Sequence, residues 1–201
     1  MKAARRDKRR DEILDIATAL LVEHGYRDTS MLEVARHASA SKETLYAWFG
    51  DKHGLFEAVI HRNAETVQAV LARHLKDDAP LDVVLRDFGR ALLRLLLGDG
   101  AVAINRAAIA EAQADPRLAR ILSRSGREAT LPGFLQILEA SRARKRLTFD
   151  SAKEAAEDYL GLLLGDLQIR RLLGLAPAPT KAQIEARVRH AAAAFQRLYE
   201  T

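Results

Sequence analysis

Two serines constrain how the N-terminal part of this chain can fold. Ser30, with Glu33 three positions on, has the spacing of a capping box, which predicts a helix starting at Met31. Ser41 is placed to cap a second helix over Lys42 to Phe49, and Ser39-Ala40 breaks the chain between the two. Gly50-Asp51 then stops the second helix. Residues 29–52, TSMLEVARHASASKETLYAWFGDK, therefore read as short helix, tight turn, short helix. Leu45 and Phe49 lie one helical turn apart and should face a core, which leaves Lys42, Glu43, Thr44, Tyr46 and Ala47 outside. A helix this short and polar is not accounted for by core packing. Insertion into the DNA major groove is one reading, and an ordinary helical corner is the other.

The rest of the pattern is helical too, with no convincing strand alternation and no internal repeat. Ile13, Ile16, Ala17, Leu20 and Leu21 recur at helical spacing before a stop at Gly25. A longer helix carries Leu55, Phe56, Val59, Ile60, Val67, Val70 and Leu71. The series pauses at Asp77-Asp78-Ala79-Pro80. Leu81 to Leu97 reads as apolar on nearly every face, hence buried all round. Further helices are expected over 101–114, 117–146 (with a break near Gly126 or Pro132), 151–173 and from Thr180, whose pairing with Gln183 repeats the capping-box spacing. The expectation is an all-α protein of about nine helices: a three-helix N-terminal domain over 1–55, and a larger helical domain over 56–201.

Composition limits the classes of function. The 201 residues are 48% hydrophobic and 29% charged, as in a folded domain or two. The formal charge of +5 and pI near 9.7 suit a polyanionic partner. Residues 1–62 carry only +1 of this charge and residues 63–201 the other +4, but within the first part positive charge gathers at the tip, in Lys2, Arg5, Arg6, Lys8, Arg9 and Arg10 against Asp7 alone. Such a tip reads as a solvated arm, with contact to a DNA groove or backbone as the alternative. The absence of cysteine excludes disulfides and thiolate metal sites. No apolar run approaches the ~20 residues of a membrane span, and Asp11, Glu12 and Asp15 interrupt any signal-peptide core. A cytoplasmic protein without membrane contact is expected. The six histidines do not cluster, and no nucleophile elbow, phosphate-cradling loop or zinc-protease pair is present. No catalytic residue, metal site or cofactor is expected.

The chemistry of the second short helix suits DNA. Lys42 can donate to base edges or phosphate, Thr44 can bond a base or touch a thymine methyl, and Tyr46 can donate to a phosphate oxygen. The helix N-termini at Ser30 and Ser41 aim amides outward, and Lys52 is a further candidate for phosphate.

At these residues the chain resembles the TetR family of transcriptional regulators, the AcrR-like helix-turn-helix proteins. The resemblance lies in ARHASASKETLYAWFGDK, residues 35–52, preceded by Gly25-Tyr26 and Thr29-Ser30, and covers about residues 9–60. Two positions depart from the family pattern. Ser39 and Ala40 stand in the turn where glycine then valine is usual. Trp48 replaces a tyrosine or histidine, leaving it between two readings, an altered phosphate contact and hinge packing.

The resemblance implies a ligand-responsive repressor, bound to double-stranded operator DNA as a homodimer and released by a small hydrophobic or amphipathic effector. It implies dimerisation through the last two helices. Gly161, Leu164 and Gly165 on a leucine-rich helix, with Ala191 and Ala194 on the last, offer small faces for that contact; a tight crossing within one subunit is the alternative. A ligand pocket is implied in the larger half, walled by the helix at 81–97, with Phe88, Leu92, Asn105, Arg106 and Tyr159 as candidate lining. A helical carrier or an all-α enzyme would have to treat Ser41, Lys42, Thr44 and Tyr46 as accident.

Overall fold

Eleven α-helices and one π-helical turn follow one another in the computed structural model, which describes residues 2–77 and 79–200. The side chain of Lys2, counted in the basic tip, and Asp78, in the pause before Leu81, lie outside the described residues. The all-α expectation holds. Among the described residues the only β pairing is an isolated bridge between Leu147 and Glu200. No described helix is long and apolar enough to cross a membrane.

Helix α1 runs Lys2–Asp28 and takes in the basic tip, so the tip is helix rather than an extended arm. Gly25 interrupts its helical dihedrals at φ 79°, ψ 173°, where the stop was expected. α2 is Met31–His37, α3 Lys42–Phe49 and α4 Lys52–Asp77. α5 (Leu81–Leu96), α6 (Asp99–Glu111), α7 (Arg117–Leu122), α8 (Ala129–Ala143), α9 (Ala152–Leu164), α10 (Leu167–Leu172) and α11 (Lys181–Tyr199) complete the series. The count exceeds nine because two long expected helices are divided. A π-helical turn at Ser123–Glu128 splits 117–146. Gly165, at φ 48°, caps α9 and splits 151–173.

Packing separates the chain into two compact units, Met1–Arg62 with Asp99–Gly126, and Asn63–Gly98 with Arg127–Thr201. α4 is continuous through the junction at 62/63. The expected division at 55/56 does not coincide with this packing division. Compactness instead returns α6 and α7 to the N-terminal helices, because α6 lies along α1: a Cβ on Gly100 would run into Thr18.

The first unit closes over Ile13, Leu14, Ala17 and Leu21 of α1, Val34 of α2, Leu45 and Phe49 of α3, and Phe56 and Val59 of α4. Ile104 and Ala108 of α6 and Leu118 of α7 join them. The second unit is built on aromatic side chains. Phe88 stacks on Phe134 with centroids 4.5 Å apart, Phe134 meets Tyr159 at 5.3 Å, and Tyr159 meets Phe195 edge-on at 5.6 Å. The hydroxyl of Tyr159, fully buried, donates to Leu85 O at 2.5 Å, and burial raises its pKa well above the ordinary tyrosine value. Gly89 is what makes room for that ring, since a Cβ there would collide with the Tyr159 hydroxyl.

α5 corrects one expectation. It is not buried all round: Leu81, Val84, Leu85, Phe88, Gly89 and Leu93 face the core. Asp82, Arg86, Asp87, Arg90 and Arg94 occupy the other side, at the spacing that offsets them from the leucines. Asp87 accepts from His74 at 3.0 Å, Arg73 at 3.0 Å and Arg90 at 2.5 Å, and Arg90 holds Glu185 of α11 through two bonds of 2.5 and 2.9 Å. This ionic seam ties α4, α5 and α11 beside the aromatic core.

Candidate nucleic-acid interface

The helix-turn-helix forms as the serines require. Ser30 Oγ accepts the Glu33 amide at 3.1 Å, and Ser41 Oγ accepts the Thr44 amide at 3.1 Å. Between them α2 closes with two crossed bonds, Ala40 N–H to Ala35 O at 3.0 Å and Ser39 N–H to Arg36 O at 3.2 Å. This closure demands a left-handed residue, and Ser39 supplies it at φ 47°. An L-residue there costs roughly 1 kcal/mol relative to glycine. The departure from the glycine pattern is thus a strained serine in an otherwise ordinary turn. Lys145 does the same at φ 56° after α8, with no glycine in the sequence to mark it.

α3 divides its faces as the spacing predicts. Leu45 and Phe49 are buried, while Lys42, Glu43, Tyr46 and Ala47 are exposed. Tyr46 is 45% exposed, and the Lys42 ammonium lies 5.6 Å over its ring, so the two side chains share one outward face. Ser41 and Thr44 are engaged with each other, their hydroxyl oxygens 2.9 Å apart, which makes them first of all the cap of α3. The Glu43 carboxylate is held below its ordinary pKa by its own backbone amide and then by Ser41. Part of the anion-attracting capacity of that N-terminus is therefore already taken.

Two candidates sit differently from expectation. The Lys52 ammonium donates inward to Tyr26 O, and at 3.4 Å to Arg27 O, with the Tyr26 ring 4.0 Å beneath it. Burial lowers its pKa. The expected phosphate contact is thus replaced by a brace between the end of α1 and the start of α4, because the turn at Gly50-Asp51 directs Lys52 back at two carbonyls in the last turn of α1. Trp48 is half-buried, edge-on to Phe49 at 6.4 Å, with the Arg6 guanidinium 5.6 Å over its ring. Hinge packing is the reading its geometry favours, but its outer edge is open. With Arg5, Arg6, Lys8, Arg9 and Glu12 it lines a groove of about 690 Å³ beside α3. The sequence marked the basic tip but not this juxtaposition, which only the docking of α1 against α3 creates.

The remaining candidates divide. Phe88, Leu92 and Tyr159 do come together in the second unit, Phe88 and Tyr159 with centroids 6.1 Å apart and Leu92 packed on the same cluster. Asn105 and Arg106 belong to the first unit, where the Asn105 amide donates to Ala101 O at 2.8 Å. Ala191 is fully buried within its own subunit, which removes it from any surface contact; it follows Val188 by less than one turn on the inward face of α11. Ala194 and Leu164 are partly exposed. Gly161 is exposed with open space where a Cβ would stand. Gly165 is not a helix-interior glycine: it ends α9, and Arg187 covers the place of its missing side chain. Among the described residues no group of histidine and acidic side chains is arranged to hold a metal ion.

Comparison with known proteins converges on one family. Residues 13–59 match the bacterial regulatory proteins of the tetR family, and residues 83–201 match the C-terminal domain of AefR-like transcriptional repressors. A TetR transcriptional regulator from Agrobacterium tumefaciens is 35% identical, with a TM-score of 0.75 over 96% of this chain and 95% of that one. The flavonoid-responsive regulator FrrA is 33% identical, with a TM-score of 0.67 over 96% and 98%. Among curated proteins, the repressor ComR of Escherichia coli (strain K12) is 45% identical over 53 residues, 26% of this chain and 25% of ComR. The regulator HbdR of Aromatoleum sp. (strain CIB) is 31% identical over 70 residues, 35% of this chain and 31% of HbdR. The chain thus spans about a third or less of those curated relatives.

Proposed function

Because the chain belongs to the TetR family of bacterial regulatory proteins, which are transcriptional regulators and not enzymes, we propose that it is a ligand-responsive repressor. It binds a palindromic operator as a homodimer and is released by a hydrophobic or amphipathic small molecule. The observation that carries this reading is α3: a two-turn helix, capped at Ser41, anchored by Leu45 and Phe49, with Lys42 and Tyr46 projecting together. Two such helices must enter successive major grooves ~34–36 Å apart. Selection of bound sites from random double-stranded DNA is expected to enrich an inverted repeat with half-sites about one turn apart. Recovery of no preferred sequence overturns the proposal. Loss of binding to the selected site then identifies an effector.

Dimerisation has surface to use. α10 and its C-cap leave Ile169 52% and Leu173 64% exposed, one turn apart, and α11 leaves Leu198 63% exposed. Gly161 lies on the open side of α9. Gly161→Leu fills space that is empty within one subunit, and Ile169→Asp places a charge on the apolar strip. Each is expected to convert the dimer to monomer at micromolar concentration without changing helix content. Sedimentation velocity showing an undiminished dimer for both variants would place the contact elsewhere.

Release works by population shift. The aromatic interior around Phe88, Leu92 and Tyr159 is the proposed effector environment, and the flavonoid response of FrrA accords with an aromatic, amphipathic ligand. α4 belongs to both compact units, so a ligand that prefers a tilted α4 draws α3 out of operator register.

A further inference from the structure

We propose that Arg9 is a positioning residue for the recognition helix, a clamp that holds the left-handed turn at Ser39 from outside. The closure of α2 pairs the carbonyls of Ala35 and Arg36 but sets those of Ala38 and Ser39 at the end of the helix, where negative partial charge collects. Arg9, reaching from α1 across about thirty residues of chain, donates through one guanidinium nitrogen to both, to Ala38 O and, at 3.2 Å, to Ser39 O. Its other nitrogen is held by Glu12 at 2.8 Å, which fixes the planar fork and balances its charge. The strained residue and the clamp occupy the same peptide units. Where glycine would adopt the turn freely, Ser39 adopts it with its carbonyl gripped.

This separates Arg9 from its basic neighbours. Arg5, Arg6 and Lys8 are exposed, whereas Arg9 is half-buried with its donors turned to the backbone and a carboxylate. The turn sets the angle between α2 and α3, so releasing it lets α3 wander from the direction that Lys42 and Tyr46 need. Only this last consequence rests on the DNA-binding reading.

The test uses the full chain with Arg9→Gln, Arg9→Lys, Ser39→Gly and the pair Arg9→Gln with Ser39→Gly. Arg9→Gln is expected to speed amide hydrogen exchange over residues 39–45 about tenfold, the loss of a charge-assisted bond. Arg9→Lys keeps charge but not the fork, and is expected to behave like Arg9→Gln. Adding Ser39→Gly should bring exchange back to within about threefold of the unmodified protein. On the selected operator, Arg9→Gln is expected to weaken binding about tenfold with the slope of log K against log salt unchanged, and Ser39→Gly to restore it. Unchanged exchange in Arg9→Gln overturns the clamp. So does a slope lowered by about 1.8 in Arg9→Gln, about 0.9 for a phosphate lost in each half-site, that stays unchanged in Arg9→Lys and is not rescued by Ser39→Gly, which makes Arg9 a phosphate contact. If no operator is found, the functional reading fails, while the exchange measurements still decide the clamp.

Discussion

Replacing Lys42 and Tyr46 together by alanine is expected to weaken operator binding by at least about 1000-fold, from ~1–3 kcal/mol lost at each contact in each half-site. Both side chains are exposed, and their mutual contact is a cation over a ring at 5.6 Å on the surface, so thermal stability should change little. That combination, affinity lost with folding kept, is what separates a DNA reader from a carrier or an enzyme, which would be indifferent. The salt dependence divides the pair further. Lys42→Ala lowers the salt slope if the ammonium meets a phosphate and leaves it unchanged if it meets a base edge. Fluorescence anisotropy on the selected site, repeated across salt concentrations, reads both quantities. Undiminished affinity in the double variant would mean that α3 is not the reading element.

The largest effect on stability is expected at Phe134. Its ring is fully buried, stacked on Phe88 at 4.5 Å and against Tyr159 at 5.3 Å, so no neighbour can collapse without disturbing the other. Phe134→Ala should cost ~3–5 kcal/mol and lower the melting temperature by about 10 °C, measured calorimetrically. Tyr159→Phe is the milder companion: it removes the bond to the Leu85 carbonyl, which keeps its helical partner, at ~0.5–1.5 kcal/mol. A shift of only a degree or two for Phe134→Ala would show an interior with room to spare around the proposed effector environment.

How far a residue could be read before the structure depended on how local its interaction is. Ser30, Ser41 and Thr180 cap helices through amides three residues away, so short-range geometry was enough to place them. The inward Leu45 and Phe49 follow from helical period alone. Lys52 reads from the sequence as a phosphate contact because nothing nearby in sequence claims it; its partners in the fold are the carbonyls of Tyr26 and Arg27, 26 and 25 residues away. Gly165 was read as helix interior because its flanking leucines continue the pattern, yet Arg187 from α11 occupies its space and the chain turns at φ 48°.

The sequence by itself determined an all-α chain, two short helices joined by a tight turn, their caps, and the outward pair Lys42 and Tyr46. Each follows from periodicity and hydrogen bonds spanning a few residues. Only the tertiary structure decided that α6 and α7 complete the first core, that α5 is buried on one face, that Ala191 is spent inside its own subunit, and that Arg9 closes on the turn at Ser39. Those outcomes depend on which distant surfaces meet, and hydrophobic pattern fixes that a face is buried but not what buries it.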